Sequence, residues 1–238
     1  MAGIFHFKQF SIDQSGCAMK INTDGVLLGA LTEQDRVKSI LDIGTGTGVI
    51  ALMLAQRFTS VLIDAVEIDE SAAKTAAANF AGSPFAYRLT LYANSFEDFF
   101  ETHPDKKYDL IVSNPPFYIN SLKSPGAGKQ LAKHAGDGLF EKLITTTPHH
   151  LNANGKLWLI LPIDTAGLVK DLATKNDLHL QQVISILSYP TSAPHREILV
   201  FGPQQTKLQQ KEFVIYSALK QYSGQYHTAL QDFFTIFP

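Results

Sequence analysis

The segment Ser39-Ile40-Leu41-Asp42-Ile43-Gly44-Thr45-Gly46-Thr47-Gly48-Val49-Ile50-Ala51-Leu52-Met53-Leu54-Ala55 limits the fold more than any other part of the chain. A short apolar run suited to a buried strand enters a turn with glycine at every second position, then leaves into an Ala/Leu-rich helix. That succession is the first strand, turn and helix of a nucleotide-binding α/β fold. Glycines at 44, 46 and 48 depart from the dinucleotide fingerprint, whose final gap spans two residues. Asp42 stands directly before the turn, at the carboxyl end of the strand. A carboxylate there repels a pyrophosphate and suits an ammonium group, and turn residues without a Cβ let the backbone come close to a ligand.

The rest of the chain alternates strands and helices around this unit. Val61 to Val66 is the second predicted strand and leads to Glu67, about twenty residues past the turn, where an acid holds a ribose diol in this fold. Asp69 caps a predicted helix from Glu70 to Asn79. Leu89 to Tyr92 forms a third strand, and its following loop (Ala93, Asn94, Ser95, Phe96) is expected to meet a nucleoside base, with Asn94 at the base edge. A fourth strand over 108–113 runs into Asn114-Pro115-Pro116-Phe117. Two prolines fix φ, remove two backbone donors and force the chain out of the sheet. The residues ahead of them are held extended, so the carbonyls of Asn114 and Pro115 lack ladder partners. By itself this is equally a strand-ending turn; as a site, it offers an amide oxygen, a carbonyl and a ring to a planar group bearing an NH2.

Downstream, helices are expected over 138–151 and 165–175, and strands over 155–162, 180–189 and 197–201. The last of these is expected to be antiparallel at the sheet edge, with a final strand and helix from Phe213 onward. Upstream, Phe5, Phe7, Phe10 and Ile12 alternate with polar residues as in a short hairpin. Asn22-Thr23-Asp24-Gly25 supplies turn chemistry, with Thr23 or Asp24 capping a helix through Ala30. Lys20, Thr23 and Asp24 thus put a cation and two oxygens at a helix start. The expected division is an extension of residues 1–36 and a main domain of residues 37–238.

A formal charge of −2 argues against a protein that coats nucleic acid without specificity, although it allows a local basic patch. Lys123, Lys129 and Lys133, just past the prolines, could form one against an anionic polymer. No apolar run approaches the roughly 20 residues needed to span a bilayer. The first residues lack signal-peptide character, and the single cysteine, Cys17, suits a reducing compartment. A cytoplasmic protein with no membrane partner and no metal site is expected, as a monomer or weak dimer.

From Asp42 to Phe117 the chain resembles the class I S-adenosylmethionine-dependent methyltransferases, and Asn-Pro-Pro-Phe resembles the signature of those that methylate exocyclic amino nitrogens on planar groups. Phe7-Lys8-Gln9-Phe10, Gln14, Ala18-Met19-Lys20 and Thr23 to Gly29 narrow the likeness to the bacterial tRNA adenine-N6 methyltransferase family acting on valine tRNA. The resemblance covers nearly the whole chain, most closely its first half. It implies a Rossmann-like α/β fold: a seven-stranded, mostly parallel sheet with an antiparallel edge strand, helices on both faces, and an N-terminal hairpin and helix. It implies S-adenosylmethionine as cofactor, held by Lys20, Thr23, Asp42, Gly44, Gly46, Gly48, Glu67, Asn94, Ser95, Phe96 and Asn114. It implies tRNA as substrate, with position 37 the target. Asn114, Pro115 and Phe117 would be catalytic, and by the family pattern Lys20 and Arg196 would contact phosphates; Lys8, Lys123, Lys129 and Lys133 are further candidates for RNA phosphates by their charge. Asn94 stands where the family usually carries an acid, and keeps the acceptor without its charge.

Other planar amino groups also fit such a motif. A release-factor glutamine calls for a separate N-terminal helical domain, larger than the segment before the first strand here. Guanine N2 of rRNA calls for a duplicated domain and a His soon after the Phe, where this chain has Tyr118; rRNA adenine is a further acceptor of this type. A non-catalytic binding module would leave the pairing of cofactor turn and Asn114 without a purpose.

Overall fold

The computed structural model describes residues 3–116 and 138–238. Eight strands form the central sheet: β3 (Ser39–Ile43), β4 (Leu62–Val66), β5 (Leu89–Tyr92), β6 (Tyr108–Ser113), β7 (Leu151–Pro162), β8 (His179–Leu187), β9 (Arg196–Gly202) and β10 (Gln209–Val214). Their order is β10-β8-β9-β7-β6-β3-β4-β5. Only β9 runs against its neighbours β7 and β8. Two small hairpins flank the sheet, β1 (Ile4–His6) with β2 (Ser11–Asp13), and β11 (Tyr216–Ala218) with β12 (Gln221–Tyr222).

Strand residues divide between two apolar layers by their period of two. Ile40, Leu110, Val112, Trp158, Ile160, Ile198 and Val200 face one layer; Leu41, Ile111, Leu157, Leu159, Leu199 and Phe201 face the other. The first layer is closed by α1 (Thr23–Leu31), α2 (Val49–Arg57), α3 (Glu70–Ala81) and α7 (Gly224–Leu230). The second is closed by α4 (Phe96–Thr102), α5 (Leu139–Thr146) and α6 (Ile163–Ala173). Both faces are covered, so the central strands read as continuous apolar runs.

The α/β class and the mostly parallel sheet are as expected, but two details are corrected. The sheet has eight strands in place of seven, and the antiparallel strand is interior. β9 lies between β7 and β8, and Ile198, Leu199, Val200 and Phe201 are fully buried. The true edge is β10, paired parallel to β8. Its first four residues, Gln209-Gln210-Lys211-Glu212, are all exposed, so this strand carries no apolar pattern and only backbone pairing defines it.

The N-terminal hairpin is part of the same core. Phe7, Phe10 and Ile12 are buried in the first layer, with the Phe7 and Phe10 rings stacked 4.4 Å apart. Buried Asn79 on α3 links β2 to the glycine turn. Its Oδ1 accepts from the Asp13 N–H, and its Nδ2 donates to the carbonyls of Asp13 and Thr47, each at 2.9 Å. The α1 cap is Asn22, not Thr23 or Asp24: its side chain accepts from the Gly25 N–H at 2.9 Å, and Thr23 already lies in the helix.

Candidate active site

Register places the predicted residues along one edge. Ile43 pairs with Val66 and with Ser113, so the β3 turn, Glu67 and Asn114 leave the sheet side by side. Val66 pairs with Tyr92, which brings the Asn94 loop to the same edge. Pro162 at the end of β7 pairs with Arg196 at the start of antiparallel β9, so Arg196 belongs here too. This carboxyl edge is where ligands bind in open parallel sheets.

The glycine turn is tied to β4 by its backbone. The N–H groups of Gly44 and Thr45 donate to the Val66 carbonyl at 2.9 and 3.1 Å. The Glu67 carboxylate accepts from Gly46 N–H at 2.8 Å and from Asp69 N–H at 2.9 Å. Burial pushes the Glu67 carboxyl up, and these two donors oppose the shift. Asp42 is fully buried; its Oδ2 accepts from the Thr45 hydroxyl at 2.6 Å, and its Oδ1 has no partner among the described residues. Burial drives its pKa up to about 7, the Thr45 hydroxyl and then the Ala51 backbone N–H oppose this, and the Glu67 charge adds to it.

Gly44 and Gly46 have φ of 70° and 57°, and no heavy atom lies within 4 Å of where a Cβ would stand. The backbone there faces open space. Gly48 differs: at φ 85°, a Cβ would lie 2.5 Å from the Phe80 ring of α3. Closeness to that ring, as well as conformation, requires glycine.

Asn114 follows Ser113, whose hydroxyl donates to the Ile43 carbonyl at 2.8 Å. The half-buried Asn114 side chain carries a buried Oδ1 without a hydrogen-bond partner among the described residues. The start of α1 lies against it, since a Cβ on Gly25 would stand 3.6 Å from Asn114 Nδ2. Next to Gly25, Asp24 accepts from Arg196 Nε at 2.8 Å in a partly buried ion pair. Burial, then the Arg196 charge, holds the neighbouring His195 below its usual value, and Asp24 opposes them.

The remaining predicted residues fall differently. Ser95 caps α4 by accepting from Asp98 N–H at 3.0 Å, and Phe96 is buried with its ring edge-on to Phe100. The helix itself was missed, although Phe96, Phe99 and Phe100 have helical spacing. Asn94 is half-buried in the loop before it. Lys20 is exposed and donates to the Gln14 carbonyl at 2.5 Å. Burial raises the nearby Cys17 thiol, Thr75 opposes this, Glu67 adds to it and Lys20 lowers it. Thr23 is exposed on the first turn of α1.

Lys8 is not brought to the site. It lines a groove with Leu31, Gln56 and Arg57, at the carboxyl ends of α1 and α2. The nine-residue α2 starts at the glycine turn, so this groove lies roughly 12 Å away along the helix. Phe117, Lys123, Lys129 and Lys133 lie outside the described residues. Asn79 and Gly25 support the site through partners distant in sequence, Asp13 and Thr47 for the first and Asn114 for the second, and local pattern gave neither role; Asn22 acts locally, as the cap on Gly25.

An amino-acid-bearing nucleoside suits this edge: the orphaned Asp42 oxygen is a place for cationic character, and the open turn is a place for close backbone approach. The sheet order and the turn together define a class I methyltransferase, for which S-adenosylmethionine is the methyl donor. The profile of the methyltransferase small domain matches residues 19–165. A tRNA1(Val) (adenine(37)-N6)-methyltransferase of Pedobacter heparinus is 45% identical over 237 residues, covering 100% of both chains. One of the same name from Bacteroides fragilis is 36% identical, covering 97% of both. A solved structure of a predicted O-methyltransferase from Agrobacterium tumefaciens has the same fold, with a TM-score of 0.67 at 16% identity, covering 87% of this chain and 95% of that one. The chain belongs to the tRNA1(Val) (adenine(37)-N6)-methyltransferase family.

Proposed function

We propose that the protein transfers a methyl group from S-adenosylmethionine to the exocyclic N6 of adenine 37 in the anticodon loop of valine tRNA. The observation that carries this reading at the site is Asn114 Oδ1, a buried acceptor beside the cofactor turn with no partner among the described residues. Buried acceptors are almost always paired, and the exocyclic amino group of a substrate base would supply such a donor.

The bound cofactor supplies an electrophilic methyl on sulfonium. Asp42, Lys20 and Thr23 would hold its amino-acid end, and Gly44, Gly46 and Gly48 would let the backbone close on it. Glu67 would take the ribose hydroxyls, and Asn94, Ser95 and Phe96 would bound the adenine. On the substrate side, Asn114 Oδ1 and the Pro115 carbonyl would accept the two N6–H bonds. This draws the nitrogen lone pair out of conjugation and aims it at the methyl; Phe117 would stack on the ring. The N6–carbon bond forms as the sulfur–carbon bond breaks, with its electron pair left on sulfur. Neither acceptor takes a proton, so the one N6 releases passes to water. Orientation supplies much of the rate, and acceptors placed where positive charge develops on N6 supply more. The adenine must first leave the loop stack, at a cost of a few kcal/mol.

Lys8, Lys123, Lys129, Lys133 and Arg196 are proposed to meet phosphates. A cytoplasmic location, a monomeric or weakly dimeric state and the division at residue 36 belong to the same proposal. Among the described residues no helix is long and apolar enough to cross a membrane, and no group of His, Cys, Asp and Glu could hold a metal ion. The test is incubation with labelled cofactor and total tRNA from a strain lacking the gene, followed by nucleoside mapping. Label in N6-methyladenosine at position 37 of valine tRNA is expected; label in guanine or in protein alone would overturn the reading.

A further inference from the structure

Asparagine is a poor residue for a buried helix face, because its side chain competes for backbone bonds and must find partners once out of water. Asn79 nevertheless stands buried in the last turn of α3, beside Phe80 and one turn after Ala76, which both pack in the first apolar layer. Its amide acceptor and both amide donors are engaged, and all three bonds leave the helix. Two of them go to one residue. Asp13 gives its N–H to Oδ1 and accepts from Nδ2 on its carbonyl, so the amide stands against β2 as a neighbouring strand would. Those two bonds alone would describe an asparagine that only seats the N-terminal hairpin.

The third bond reaches the cofactor turn. Nδ2 also donates to the carbonyl of Thr47, between Gly46 and Gly48. The peptide unit joining Thr47 to Gly48 has its N–H on the Thr45 carbonyl at 2.8 Å, so with Asn79 on its oxygen both polar ends are held. Glycines at φ 57° and 85° on either side of Thr47 leave other peptide orientations open at little steric cost, and a bond to a rigid helix removes them. The same helix secures the rest of the turn. Asp69, its cap, donates its N–H to Glu67, whose carboxylate takes the Gly46 N–H, and the Phe80 ring packs against Gly48. At Gly44 and Gly46 the turn faces open space, so its shape rests on α3 and β4. Through Asn79, that support also includes β2.

We propose that Asn79 is a positioning residue for cofactor binding: it holds the Thr47–Gly48 peptide in the receptive shape of the turn and ties that shape to the docked N-terminal hairpin. This rests on the proposed seating of S-adenosylmethionine at the glycine turn, and the experiment separates the two. By calorimetry, Asn79→Ala should raise the dissociation constant for S-adenosylmethionine about 3- to 10-fold, the worth of one net hydrogen bond. The KM for the cofactor should rise by the same factor while kcat stays within about twofold, as for a loss of uniform binding. Val200→Ala is the control: Val200 is buried in the same layer on β9, which β7 and β6 separate from β3. It should lose stability in urea and keep the wild-type dissociation constant. Amide hydrogen exchange tests the link to the hairpin without any substitution. In the wild type the cofactor should slow exchange of the Asp13 N–H, because whatever steadies the Thr47 carbonyl steadies the amide that holds Asp13. The amides of the edge strand β10, which open locally, should not slow. An unchanged dissociation constant in Asn79→Ala, an equal rise in Val200→Ala, or Asp13 exchange indifferent to the cofactor would overturn the role. Asn79-dependent cofactor binding without methylation of any tRNA would keep the role and overturn the proposed function.

Discussion

The two halves of the carboxyl edge are built by different means. On the β3–β4–β5 side, the site is made of backbone: Gly44, Thr45 and Gly46 donate to Val66 and Glu67 within two adjacent strand-to-helix turns. On the β6–β10 side, it is made of side chains brought from remote parts of the chain. Gly25 lies against Asn114, and Asp24 pairs with Arg196 across 172 residues. The first half can tolerate little variation in conformation, because positive φ and close packing are fixed at single residues. The second depends on the fold arriving first. A cofactor common to many enzymes needs the former; an acceptor peculiar to one family needs the latter.

The sharpest way to separate the halves is Asn114→Ala. Removing one placed polar group from a transition state typically costs about 10²- to 10³-fold in kcat. The expected outcome is a loss of that order in single-turnover methylation, with cofactor affinity by calorimetry changed less than about threefold, under 1 kcal/mol. A parallel fall in cofactor affinity would show the halves to be one unit. Gly48→Ala should do the opposite. A non-glycine residue in a left-handed conformation costs about 1–2 kcal/mol, and a Cβ 2.5 Å from the Phe80 ring adds overpacking of about 1–3 kcal/mol. Urea unfolding should show a loss of about 2–5 kcal/mol, the sum of these terms. A stable variant would mean that α3 yields.

These differences in construction explain what could be read from the sequence. The strand–turn–helix from Ser39 to Ala55, the Asp69 cap and the β5 limits are local, and local propensity and periodicity placed them. Asn114 could be recognised because two prolines mark it. The polar edge strand β10 could not, since its exposed residues give no period. The interior position of β9 is a property of sheet order, which only pairing decides. Phe96 was assigned to the loop facing the cofactor base, but the helical spacing of Phe96, Phe99 and Phe100 buries it. Lys8 is a candidate for phosphate by its charge, yet the hairpin carries it to the far end of α2. The contacts of Gly25 with Asn114 and of Asp24 with Arg196 leave no trace in local pattern.

A smaller effect probes the electrostatics of the cofactor half. Asp42 has a folded pKa of about 7 against an ordinary 3.8, because it is buried. Its folded form holds a proton that the unfolded chain has already lost, so its favourable contribution is complete below about pH 4 and disappears as pH rises toward 7. Without cofactor, stability of the wild type relative to Asp42→Asn should fall across that window, by at most about 1.4 kcal/mol per pH unit. Guanidinium unfolding at pH 5, 6 and 7 reads this out. Glu67, also raised by burial, acts in the same direction and remains in both proteins, so the difference isolates Asp42. Parallel curves for the two proteins would mean that Asp42 is ionised in the folded state and already finds compensation.

The smallest expected effect tests whether the substrate half is held together by the long-range ion pair of Asp24 with Arg196. The side chains of Asp24 and Arg196 are 15% and 29% exposed, so solvent screens the pair only in part. A pair of this kind is expected to contribute about 1 kcal/mol or somewhat more, between the exposed and buried limits. If it fixes α1 against Asn114, Asp24→Asn and Arg196→Gln should each lower kcat and together lower it no further than the worse of the two. Such non-additivity is the mark of a shared interaction. The cofactor affinity of all three variants should match the wild type, because among the described residues neither is bonded to the glycine turn. If Arg196 acts instead on RNA phosphate alone, Arg196→Gln would raise the KM for tRNA and flatten its dependence on salt, while Asp24→Asn would leave both untouched. The double-mutant cycle, run on kcat and on KM separately, decides whether this arginine orders the protein or grips the substrate.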